Sequence, residues 1–201
     1  MVINYNTAKE KLLVSLDKES QQFFVKNGCI LENAYYELLS DNIVKAKNLF
    51  EAAKNNDIRA HWGYFMISLI QQDIREYPSY FELRNFLEID LNILIHYYKG
   101  EYVENIVRYA DFMFTINPEV HKFIGRVFYN NNLQEQALFF LDRAKSYFYH
   151  DPELHYLLAY IYYNKNDFKE AEKYLNACLT VLPGYYPAKA MLKQIDNKKY
   201  L

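Results

Sequence analysis

At 201 residues, 51% of them hydrophobic and 18% aromatic, the chain has enough apolar surface for one soluble domain or one continuous array. Five glycines and five prolines are too few for a turn-rich all-β protein or for long disordered linkers. The 23 basic and 25 acidic residues leave a net charge of −2, which argues against a nucleic-acid partner.

The opening "MVINYNTAKEKLLVSLDKES" lacks the apolar stretch and small-residue cleavage site of a secretory leader. No apolar run approaches the ~18 residues of a spanning helix, so membrane insertion is not expected. Cys29 and Cys178 make neither a disulfide framework nor a metal pair, and reduced thiols in a cytoplasmic protein are the plain reading.

Taken in chain order, residues 1–40 are expected to form N-terminal helices, with Thr7 and Glu10 as a capping-box pair. Residues 41–117 read as divergent helical repeats. Asp41 is a ready N-cap for a helix carrying Ala46, Phe50 and Ala53 at spacings of i, i+4 and i+7. "RAHWGYFMISLI" then offers Trp62, Phe65, Met66 and Leu69 as an apolar helix face, and "EYPSY" interrupts the helix that should follow. Gly100 and Tyr102 sit like a turn between repeats, and the register over residues 71–117 can be drawn in at least two ways.

Beyond that the pattern sharpens. "NPEVHKFIGRVFYNNNLQEQAL" (Asn117 to Leu138) returns 34 residues later as "DPELHYLLAYIYYNKNDFKEAE" (Asp151 to Glu172). Pro118, Glu119 and His121 align with Pro152, Glu153 and His155, and Ala137 and Leu141 align with Ala171 and Leu175. Each copy divides into two helices. Val120, Phe123, Ile124, Val127 and Phe128 make one apolar stripe, "YNNN" and "YNKND" make turns, and Ala137, Leu141 and Ala144 face a neighbour. One helix pair leaves an apolar face uncovered and must stack on the next. A final amphipathic helix over 186–201 carries Ala188, Met191, Leu192 and Ile195 and reads as a cap.

A 34-residue helix–turn–helix with this pattern resembles the tetratricopeptide repeat family. His155, Leu158, Ala159 and Tyr162 carry its first helix, Ala171, Leu175 and Cys178 its second, and Pro183 its closing proline. The preceding copy supplies Gly125, Phe128, Ala137 and Ala144. The resemblance implies an all-α, right-handed α-solenoid of antiparallel helix pairs. Its parts are N-terminal helices 1–40, divergent repeats 41–117, repeats 118–151 and 152–185, and a capping helix 186–201, all within a single helical-repeat domain 1–201. Gly125 and Ala159 are expected at equivalent tight helix contacts.

Catalytic motifs are missing: there is no HExxH, CxxC pair, P-loop or Gly-rich phosphate cradle. His121 and His155 occupy mirrored repeat positions and are expected in the packing, and Cys178 as inert core. The expectation is a protein that is not an enzyme, with no cofactor and no metal. The resemblance implies instead a concave groove lined by first helices. Lys122, Arg126 and Tyr129 share one face, and Tyr156, Tyr160 and Tyr163 share the next, so these six are the candidate peptide-binding residues. Two cations beside tyrosines favour a segment with an acidic group and an apolar or aromatic anchor. Arg126, Tyr160, Pro187 and Met191 depart from the set with which some members hold acidic chaperone tails. The reading is a non-catalytic interaction scaffold or adaptor whose partner is another protein or peptide. Rival readings are a dedicated chaperone for a secreted or assembling protein, a peptide-signal sensor, or a structural self-associating subunit, for which a homodimer is compatible.

Overall fold

The computed structural model describes residues 4–199, and among these it contains thirteen α-helices and no strand. The chain parts into two compact units at Asn117 and Pro118. The first holds α1 (Tyr5–Val14), α2 (Lys18–Lys26), α3 (Ile30–Leu39), α4 (Ile43–Ala53), α5 (Ile58–Ile70), α6 (Tyr80–His96), α7 (Gly100–Val107) and α8 (Ala110–Ile116). The second holds α9 (Val120–Asn130), α10 (Gln134–Lys145), α11 (Pro152–Asn164), α12 (Phe168–Val181) and α13 (Tyr186–Lys199).

Several helix starts carry a side-chain cap. Asp17, Asp57, Asp151 and Asp167 each accept the backbone N–H groups that open α2, α5, α11 and α12, while Ser79 and Glu82 close a capping box at α6. Two expected caps fall elsewhere. α1 is capped by Asn4, which accepts from the Thr7 N–H at 3.0 Å, so Thr7 lies inside the helix. Asp41 does not cap α4. It holds a left-handed backbone, and its carboxylate takes Lys99 and the Tyr102 hydroxyl from the α6–α7 hairpin. Local sequence offered both residues as caps, and tertiary partners claimed Asp41.

Helix ends repeat one device. Asp41, Tyr98, Asn132 and Asn166 all have positive φ, and the next N–H reaches back five residues to a carbonyl, as in Asn132–Leu133 bonding to Tyr129 and Phe128. Tyr98, Asn132 and Asn166 stand 34 residues apart. That spacing puts α6 and α7 in phase with the later hairpins and resolves the ambiguous stretch. Gly100 is then the first residue of α7 rather than a turn residue. The departure lies in the second helix of this pair, which stops at Val107 and resumes at Ala110. The segment around "EYPSY" is indeed without helix, from Gln71 to Ser79.

The cores follow the small-residue positions. In the first unit Ala34, Ala46, Phe50, Trp62, Phe65, Met66 and Leu69 are buried. In the second, Gly125 lies so close to Leu141 that an added Cβ would sit 2.7 Å from its Cγ. Ala159, its equivalent one repeat later, is completely buried, as are Ala137, Leu141, Ala171, Leu175 and Cys178. α13 contributes buried Ala188, Met191 and Ile195 against α12. α9 begins at Val120 without a side-chain cap, so Pro118 precedes the helix, whereas Pro152 occupies the first turn of α11 under Asp151.

Candidate functional site

All six candidate residues lie in the second unit, on the neighbouring first helices α9 and α11. They divide into two kinds.

The cations brace the fold. Lys122 is buried, and its Nζ donates to Asp151 at 2.8 Å and to Glu119 at 3.3 Å. Burial acts to lower the Lys122 ammonium's pKa, but Asp151 and Glu119 outweigh it and hold the pKa above its ordinary value. On Asp151, burial opposes ionisation, while Lys122 and the N–H groups of Leu154 and Glu153 overcome it and keep the carboxyl below the usual range. Arg126 donates to both oxygens of Glu153, at 2.9 and 3.1 Å. Asp151 and Glu153 open α11, where negative charge also meets the helix dipole. The two positive charges expected beside the tyrosines are thus already met by the carboxylates of Asp151 and Glu153.

The tyrosines form a ladder. The Tyr129 ring stands edge-on to Tyr160 at 5.6 Å, Tyr160 is 6.4 Å from Tyr156, and Tyr156 is 5.4 Å from Tyr185. All four are half-buried, with one side in the packing and the other accessible. Burial, with Tyr160 and Tyr156 beside it, pushes the Tyr129 hydroxyl up to about 12, and burial also raises Tyr156 and Tyr185. These hydroxyls stay protonated at neutral pH and can donate hydrogen bonds. Tyr163 turns to other company: its ring lies 5.7 Å from Phe168 with the Lys198 ammonium 4.6 Å from its centroid.

Tyr185 is the residue that the sequence reading missed. Its signal was the 34-residue register, because Tyr185 follows Asp151 by one repeat and meets Tyr156 as Asp151 meets Lys122. His155 and His121 are buried, the former bonded through Nε2 to the Tyr149 carbonyl at 2.8 Å, the latter packed on Phe140. Cys178 is fully buried, and burial pushes its thiol up to about 11, away from nucleophilic use at neutral pH. Among the described residues there is no cluster of three or more His, Cys, Asp or Glu suited to a metal, and no helix long and apolar enough to cross a membrane.

A family model, the tetratricopeptide repeat, matches residues 152–185, which span α11, α12 and the turn into α13. No curated protein and no solved structure matched the chain. Tetratricopeptide repeats generally mediate protein–protein interactions. The chain thus carries a tetratricopeptide repeat at residues 152–185.

Proposed function

We propose that the tyrosine-lined face of α9 and α11 holds a segment of another protein, and that the chain works as a non-catalytic interaction scaffold or adaptor. The observation that carries this reading is the run Tyr129–Tyr160–Tyr156–Tyr185, four partly exposed rings in sequence. Such rings give broad contact area at small entropic cost, and their hydroxyls can meet a partner backbone. Lys122 and Arg126 belong to the same face as its braces, fixing α9 against α11 so that the rings are presented in one arrangement. Tyr163 extends the face toward α12 and α13.

Because both cations already have carboxylate partners, the segment is selected chiefly by its apolar or aromatic side chains and its backbone. The same reading places the protein in the cytoplasm, where the free thiols of Cys29 and Cys178 stay reduced. The test is affinity co-purification from the native host, followed by mass spectrometry, with the wild-type chain beside the Tyr156→Ala/Tyr160→Ala double variant. The reading expects a protein retained by the wild type and lost by a folded variant. Equal retention by both moves the interface elsewhere.

A further inference from the structure

The first unit contains a cavity of about 420 Å³ between α1, α3, α5 and α6, within the range of about 300–1,000 Å³ typical of small-molecule sites. Its walls are aliphatic: Leu12 and Leu13 from α1, Leu31 and Leu39 from α3, and Ile89 and Ile93 from α6. Leu13 and Ile89 are each about half exposed, so the apolar lining continues to the surface.

One polar group in this wall is incompletely satisfied. Arg59 lies between the rings of Tyr35 and Phe86, its guanidinium 5.1 and 4.5 Å from their centroids, and both rings also line the cavity. Its Nη2 pairs with Asp90. Its Nη1 is buried and has no hydrogen-bond partner. Asp90 is already engaged at both oxygens, Oδ1 by Arg59 and Oδ2 by the Tyr35 hydroxyl and the Trp62 indole. A buried, charged N–H without an acceptor is costly, and an anionic oxygen is the acceptor that suits it best. Lys9, also on the lining, adds a second cation, while the Glu32 carboxylate is held by the Tyr5 hydroxyl.

The roof decides the size of the occupant. Tyr5 bonds Glu32 near the start of α1, and Tyr97 and His96 bond the carbonyls of Leu12 and Val14 near its end. With α1 fastened to both α3 and the end of α6, a peptide helix has no room, whereas a slim molecule does. We propose that this cavity binds a small amphiphile, a monocarboxylate with an unbranched aliphatic tail, its carboxylate on Arg59 Nη1 and its tail among the leucines and isoleucines. The site lies wholly in the first unit and is independent of the tyrosine face on α9 and α11.

The probes are decanoate, decanol and decyltrimethylammonium, titrated calorimetrically into the full chain below their aggregation concentrations. Decanoate should bind saturably at one site, decanol about ten-fold more weakly or less well still, and the ammonium compound not measurably. Ile89→Trp, a change at a half-exposed wall residue, should abolish decanoate binding while the helical circular dichroism and melting curve persist. Leu13→Trp should block the same space from the α1 side, so that one misfolded variant does not void the test. Arg59→Gln should bring decanoate down to the affinity of decanol. No saturable binding of decanoate, equal affinity for decanol, or full binding by both folded tryptophan variants overturns the proposal.

Discussion

Lys122 of α9 donates to Asp151, the N-cap of α11, at 2.8 Å, a contact that, beside Arg126 on Glu153, fastens one first helix to the start of the next. Asp151 serves two purposes, since its Oδ1 also accepts the N–H groups of Glu153 and Leu154. Removing one partner of a buried pair leaves the other charge uncompensated. Lys122→Met should therefore cost about 3 kcal/mol, and Asp151→Ala at least as much, because the cap goes with it. Urea denaturation of the two variants checks the order; an unaffected Lys122→Met would mean that the pair adds nothing to stability.

The same pair sets an acid limit. The Asp151 carboxyl titrates below its ordinary range in the folded chain, so its contribution is fully present above the unfolded carboxylate pKa of about 4 and is lost as pH falls through the lower folded value. Stability measured from pH 6 down to pH 2 should fall along this limb. In Lys122→Met the limb should flatten. An identical acid profile in the variant would assign the acid sensitivity to other carboxylates.

Asp90 behaves in the opposite sense. Burial raises its pKa despite the Arg59 charge and the Trp62, Tyr35 and Arg59 hydrogen bonds, so its ionisation at neutral pH opposes folding relative to the free carboxyl. Three donors, Arg59, Tyr35 and Trp62, converge on it. Asp90→Ala should destabilise the first unit by about 3–5 kcal/mol by stranding Arg59, Trp62 and Tyr35. The Trp62 emission, the only tryptophan signal in the chain, reports that loss directly.

At the repeat contacts, Ala159→Leu should overpack the fully buried space between α11 and α12 and cost about 1–3 kcal/mol, read as a lowered melting temperature. A neutral result would separate Ala159 from the tight position that Gly125 holds against Leu141.

For the tyrosine face, the Tyr156→Ala/Tyr160→Ala variant should lose about 2 kcal/mol or more of partner binding. Its stability should fall by a smaller amount, about 1–2 kcal/mol, because the edge contacts with Tyr185 and Tyr129 go too. Pull-down and melting on the same preparation distinguish the outcomes. Collapse of the fold would make the tyrosines core residues.

Legible in the amino-acid order were the helix pairs that became α9–α10 and α11–α12, the turns at Asn132 and Asn166, and the small residues Gly125, Ala137, Ala159 and Ala171 at their contacts. These are local or periodic properties: left-handed turn residues, a 3.6-residue stripe and a fixed spacing are written within one repeat. It also placed the six face residues on two helices, but not their partners. Tertiary structure alone decided that Lys122 and Arg126 are engaged by Asp151 and Glu153, that Tyr185 completes the ladder while Tyr163 turns toward Phe168, and that Asp41 joins Lys99 instead of capping α4. It alone brought Arg59, Tyr35 and Trp62 around Asp90. Apart from Tyr163 and Phe168, which meet across one turn, these pairings join residues many positions apart, and stacking, rather than any local preference, sets which side chains come within reach.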